Sequence, residues 1–260
     1  MKVRTFYVHF GVELPVLPEI RNKDKYEVSY FDLPNREDIR KAISISDLDL
    51  QAIILFMASS GTAKAEALSL TVKDFINACR DYYSYDSEDL SFILDSLSKR
   101  DDVVPTFYIK CIKTDKFYYT FCTPEAYSVI VNYLSLRPNL SLEDKLFDFT
   151  HSRLLSSFQN INDSLGWGFK CKYRFFRTHT LRKFHASNIG LFAEYVDALQ
   201  GRSKNSIHDT YIKTKPDRLK EMYISVMDNV IINRKNFENV NQEFNITINV
   251  FLSGKEYNIM

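Results

Sequence analysis

The run His179-Thr180-Leu181-Arg182 places an imidazole and a guanidinium three residues apart. On a helix, residues at that spacing share a face. Two donors at a helix start suit an anionic oxygen, because unpaired backbone N–H groups and the helix dipole favour negative charge there. Downstream, Leu199-Gln200-Gly201-Arg202 is followed nine residues after Arg202 by Tyr211. Upstream, Gly61-Thr62-Ala63-Lys64-Ala65-Glu66-Ala67-Leu68 follows a strongly apolar segment, and Lys113 lies between two strand-like runs. Each piece is weak by itself, since H-x-x-R recurs by chance and Tyr211 is one of 16 tyrosines. The information is in their order and spacing.

Periodicity and capping residues predict the elements that must carry these groups. Helices are expected from Asn35 to about Ile43, from Ser46 through Met57, over Thr62–Leu70, over Val72–Cys79 behind Thr71, and over Glu88–Leu97 behind Ser87. Val103–Ile112 and Phe117–Cys122 are rich in β-branched and aromatic residues and read as a hairpin with Lys113 in its turn. Thr123-Pro124-Glu125 is a helix start for Ala126–Leu136. Further helices are expected over Ser141–Phe149, Ser152–Asn162, Thr180–Ile189, Phe192–Leu199, Asn205–Tyr211 and onward from Pro216. Gly166-Trp167-Gly168 reads as a turn, and Phe244–Leu252 alternates as a strand with one buried face. The fold class is α+β: mostly helical with a small antiparallel sheet.

Taken together, Gly61 with Glu66, Lys113, His179 with Arg182, Leu199-x-Gly201 and Tyr211 resemble the motif series of the tyrosine recombinases, the phage-integrase family. Thr120-Phe121 before Pro124-Glu125-Ala126 agrees with the end of the family's hairpin, and the resemblance spans about residues 33–232. It implies a site-specific DNA recombinase or integrase that cuts and rejoins strands through a 3′-phosphotyrosyl intermediate. Tyr211 would be the nucleophile, Arg182 a phosphate clamp, His179 a proton carrier or phosphate donor, Lys113 the general acid and Glu66 a supporting carboxylate. The chemistry suits these residue types: phenol is a poor nucleophile until its proton is taken, and the crowded phosphorane needs cationic donors. The resemblance calls for no metal and no cofactor.

Two positions depart from the family pattern. Ala63 stands where the first clamp arginine is expected, and losing one such contact costs roughly 10²–10³ in rate. Arg202 replaces the usual His or Trp after Leu-x-Gly and can still donate to the phosphate. The alternative reading is a catalytically degenerate relative that binds DNA without cleaving it. Residues 1–30 read as an extended arm, the remnant of a missing DNA-clamping domain. Residues 31–232 form the catalytic domain, and 233–260 a tail with a strand. The segment from Pro216 onward is a candidate contact for a homotetramer on DNA.

Composition bounds these readings. The 260 residues carry 34 Lys+Arg and 33 Asp+Glu, with 45% hydrophobic residues, which excludes collagenous, low-complexity and polyacidic disordered chains. No apolar stretch approaches the roughly 20 residues of a membrane span, and no secretory h-region follows Met1, so a cytoplasmic protein is expected. Cys79, Cys111, Cys122 and Cys171 show no metal-binding spacing and are expected as reduced thiols. The near-neutral total hides a partition. Residues 81–102 hold seven acids, whereas 164–193 carry Lys170, Lys172, Arg174, Arg177, Arg182 and Lys183 with no acid. That basic stretch, including Lys183 beside Arg182, is the expected contact for double-stranded DNA.

Overall fold

A computed structural model describes residues 7–12, 29–83, 89–170, 172–202 and 215–233, together with the backbone of two strands between 249 and 258. In chain order the helices are α1 (Arg36–Ser44), α2 (Leu48–Ser60), the single turn α3 (Lys64–Ala67), α4 (Val72–Ala78) and α5 (Leu90–Ser98). The hairpin β1 (Thr106–Lys110) and β2 (Phe117–Phe121) follows, then α6 (Pro124–Ser135) and α7 (His151–Ser164). A two-residue ribbon, β3 (Phe169–Lys170) and β4 (Tyr173–Arg174), leads into α8 (Thr178–Asn188), α9 (Ala193–Leu199) and α10 (Pro216–Val226). A last hairpin pairs β5 (Asn249–Leu252) with β6 (Lys255–Asn258), antiparallel. The molecule is mostly helical with small antiparallel sheets, as the periodicities require.

Helix α2 is the axle. Every residue from Ala52 to Ser60 is buried, so the helix is apolar on all sides, as a helix surrounded by others must be. It packs against α6 and α8 and touches β2. Its last carbonyls find side-chain donors: Thr120 Oγ1 donates to the Ser60 carbonyl at 2.9 Å, and the Tyr223 hydroxyl to that of Ser59 at 3.0 Å. The orphan acceptors of the helix end are thereby used to tie β2 and α10 to the axle. Gly61 ends the helix in the left-handed conformation, φ +66°.

Asn35, Thr71 and Thr123 cap their helices as expected, while other starts shift by one or two residues. Asp47 precedes α2 while Ser46 Oγ donates to the Ala42 carbonyl; Asp89 caps α5, Thr150 caps α7, and α8 begins at Thr178. Residues 141–149 do not form the expected helix. There the chain runs extended beside Leu70–Val72: Leu146 N donates to the Leu70 carbonyl at 2.9 Å and Val72 N to that of Asp144 at 2.9 Å. Burial of Leu146, Phe147 and Phe149 outweighs a helical period of barely two turns. The ribbon β3–β4 after Gly168 had no sequence signal beyond that turn. Residues 205–211 lie outside the described residues, as do 244–248 of the expected strand.

The end of the chain's described core folds back on its own domain. Leu219 and Tyr223 of α10 and Val230–Ile232 beyond it are buried. The Glu125 carboxylate accepts from Ile232 N at 2.8 Å, Asn233 N at 3.0 Å and Asn233 Nδ2 at 2.8 Å. Arg40 Nη2 donates to the Ile232 carbonyl at 2.7 Å and Arg36 Nη2 to that of Asp228 at 2.7 Å. The apolar stripe of α10 is therefore spent within this domain. Among the described residues no helix is long and apolar enough to cross a membrane, and Cys79, Cys111 and Cys122 are buried free thiols.

Candidate active site

Three of the separated motifs, Gly61 with Glu66, Arg182 and Leu199-x-Gly201, meet where the end of α2, the inner face of β2, the start of α8 and the end of α9 converge. Arg182 projects from α8 and is almost fully enclosed, its side chain 12% exposed. Arg182 Nη2 donates to the Gln200 carbonyl at 2.6 Å, and Gln200 Nε2 donates back to the Arg182 carbonyl at 3.1 Å. This closed loop fixes the guanidinium between two helices. Its other nitrogen, Nη1, is buried without a hydrogen-bond partner and stands 3.8 Å from Glu66 Oε2. Buried donors are nearly always satisfied in folded proteins, so this nitrogen still has an acceptor to gain.

Glu66, in the single turn α3, is buried and shared. Its Oε2 accepts from the Tyr118 hydroxyl at 2.9 Å and from Ala63 N at 3.2 Å. Burial, then the Glu66 charge, holds the Tyr118 phenol far above its ordinary range, so Tyr118 stays a neutral donor. Strand alternation puts Tyr118 on the inner face, with Phe107 and Ile109. Two glycines let the pieces close. A Cβ on Gly61 would lie 2.6 Å from both Gln200 Nε2 and His185 Nδ1, and one on Gly201, at φ +61°, would lie 2.5 Å from the Tyr118 ring. His185 is fully buried, one turn below Arg182, and its Nδ1 meets Gln200 Nε2 at 2.9 Å. Burial, with the Arg182 and Arg202 charges, drives its pKa down to about 3, so it is a neutral acceptor.

His179 is an exposed residue on the first turn of α8. Desolvation by its neighbours, then the charges of Arg177, Lys183, Arg182 and Arg202, lower its pKa and favour the neutral imidazole, which can accept a proton. Arg202 lies 3.9 Å from Asp197 Oδ1; burial, then the Arg182 charge, lowers its pKa. Lys183 is lowered similarly, by burial and then Arg177 and Arg202. Lys113 stands at the exposed tip of the β1–β2 hairpin. Tyr211 lies outside the described residues. Lys64 turns to His151, Nζ to Nε2 at 2.7 Å.

The basic ribbon is more divided than its composition suggests. Arg174 is held bidentate by Asp163, 2.9 Å on each arm, and Lys170 Nζ lies 3.6 Å from Asp32. Lys172 and Arg177 both lie over the Tyr173 ring, at 5.3 and 4.3 Å, and Arg177 Nε is buried without a partner. Gln200, His185 and Tyr118 escaped sequence reasoning. Gln200 sat unread inside Leu199-x-Gly201, His185 lies three residues beyond Arg182, and Tyr118 was one aromatic among many. The alternation of the hairpin carried the one usable signal, for Tyr118. Among the described residues no group of three or more His, Cys, Asp or Glu side chains is placed to hold a metal.

Comparison with known proteins finds no matching family model and no matching curated protein. Among solved structures, the chain is similar to a crystal structure of the XerA recombinase, at 17% identity and TM-score 0.43, covering 86% of this chain and 72% of that one. It is also similar to the XerH site-specific recombinase bound to difH substrate in a pre-cleavage complex, at 17% identity and TM-score 0.44. That match covers 73% of this chain and 48% of the other.

Proposed function

We propose that the protein is a tyrosine-recombinase-type enzyme that cleaves and rejoins strands of double-stranded DNA through a 3′-phosphotyrosyl intermediate. The observation that carries this reading is the buried, unpartnered Nη1 of Arg182, a guanidinium braced by Gln200 beside Glu66. A non-bridging phosphate oxygen supplies the missing acceptor. Arg182 and Arg202 neutralise the developing charge, and preorganised donors of this kind supply the largest share of stabilisation in such reactions. Neutral His179 takes the proton of the attacking Tyr211, the scissile P–O bond breaks, and Lys113 protonates the departing 5′-oxygen. Rejoining runs the same steps backward, so the bond energy stays in the phosphotyrosine.

Lys170, Lys172, Arg177 and Lys183 carry the flanking duplex in this reading, with Arg174 reduced to a minor part by Asp163. The test is a nicked suicide duplex that traps the covalent adduct. Adduct that disappears in Tyr211→Phe supports the reading, and none across a randomised target library rules cleavage out. A second reading, DNA binding without cleavage by a degenerate relative, has one observation in its favour. Ala63 offers no side-chain donor and its neighbour Lys64 is engaged with His151, so neither replaces the expected arginine. Ala63→Arg distinguishes the two: the position is half-exposed, and gained adduct identifies the lesion.

A further inference from the structure

The β1–β2 hairpin has a second face that the proposed chemistry does not use. Tyr108 lies directly opposite Tyr119 in the register, and Phe117 is the diagonal neighbour on the same side. The Tyr108 ring is 4.7 Å from Phe117, nearly parallel at 14°, and 4.7 Å from Tyr119. Tyr108 is 56% exposed and Phe117 53%. Three rings thus lie along this face, Tyr108 and Phe117 stacked and exposed and Tyr119 tilted and half-buried, while their alternates Phe107, Ile109 and Tyr118 fill the core and the site. Solvent-facing strand positions are ordinarily polar, so a row of rings there needs an occupant.

The charge around the stack selects one. From residue 103 to 121 the hairpin carries Lys110, Lys113 and Lys116 against a single acid, Asp115, which Lys110 engages at 2.7 Å. The occupant is therefore anionic as well as flat. We infer that the outer face of the hairpin is a stacking platform for unpaired nucleobases, the few next to the cut phosphate that must leave the duplex when a strand is exchanged. This rests on the strand-exchange reading above. Every base has a π-face, so a ring ladder holds a displaced strand whatever its sequence, with nearby lysines tracking its backbone. The placement is economical in chain: the same hairpin holds Tyr118 against Glu66 inside, Lys113 at its tip and the platform outside.

The test compares two DNA probes, an intact duplex and the same duplex with a four-nucleotide single-stranded gap, by fluorescence anisotropy at fixed salt. The wild-type protein is expected to prefer the gapped probe by about ten- to a hundredfold. The triple variant Tyr108→Ser, Phe117→Ser, Tyr119→Ser is expected to lose that preference and to bind the intact duplex within about twofold of wild type. Thermal melting checks its fold, and the single variant Tyr108→Leu, which keeps apolar area without a π-face, is expected to lose most of the preference too. A preference that survives in these variants, or is missing from the wild type while the intact duplex still binds, overturns the platform and leaves the Arg182 reading standing. Variants altered only in sedimentation behaviour overturn it in favour of a contact between copies. Failure of both probes to bind wild type overturns the recombinase reading as well.

Discussion

Two buried carboxylates organise this molecule, and they are finished differently. Glu125, at the start of α6, is surrounded by donors: two backbone N–H groups and an amide from residues 232–233 occupy both its oxygens. Burial raises its pKa, against the pull of those donors and of Arg40. Glu66 is equally buried, but its Oε2 is divided among Tyr118, Ala63 N and Arg182, and the Arg182 nitrogen facing it makes no hydrogen bond. A closed set of bonds around a buried charge makes a joint, and an open one makes a site. The cost of an unsatisfied buried donor is about 1–3 kcal/mol, which a structure retains where a ligand will repay it.

The two regions should respond oppositely to acid, and this is the largest effect expected. His185, beside Arg182, has its pKa lowered to about 3 against an ordinary value near 6.5. Its neutral form is the one the fold tolerates, so its contribution is whole above pH 6.5 and lost as pH falls towards 3, up to several kcal/mol. Glu125 has the opposite sign: its raised pKa favours the folded state at low pH, and that contribution declines as pH rises through it. Urea unfolding between pH 6.5 and 4 should show a stability slope in wild type that exceeds that of His185→Asn by nearly one proton. Equal slopes would mean that His185 is not held neutral by its surroundings.

Next in size come substitutions at the two carboxylate sites. Arg182→Lys keeps a charge but not the fork that reaches Gln200 and the phosphate together, so adduct formation should fall roughly 10²-fold with little change in melting temperature. Glu125→Ala should do the reverse. It strands three donors and should cost about 3 kcal/mol in denaturant unfolding, with the adduct rate per folded molecule unchanged. If both substitutions move rate and stability together, joint and site are one unit and the contrast fails.

Gly61→Ala should give a smaller, mixed result. Its Cβ would meet Gln200 and His185 at 2.6 Å in a conformation that alanine disfavours by roughly 1–2 kcal/mol. Stability and adduct rate should both drop, since Gln200 braces Arg182. Gly201→Ala should act the same way through Tyr118, and a purely thermal effect there would place Tyr118 outside the rate-determining geometry. Ala63→Arg, read by adduct yield, carries the smallest expected effect on stability because the position is half-exposed.

Most of the helices and the hairpin were legible because each depends on local spacing: Thr123-Pro124-Glu125 starts a helix, and the β1–β2 residues alternate inward and outward, wherever they sit in a fold. The 141–149 segment misled because a short helical period yields to burial of Leu146, Phe147 and Phe149. Local pattern alone gave the elements on which His179, Arg182 and Lys113 ride, together with a basic stretch from 164 to 193 hidden in a neutral total. Only the tertiary structure decided that Gln200 closes a loop with Arg182, that His185 is held neutral beneath it, that Asp163 occupies Arg174, and that α10 turns back onto its own domain. Those outcomes depend on contacts between residues far apart in the chain, where burial and a neighbour's charge, not local spacing, set the energy.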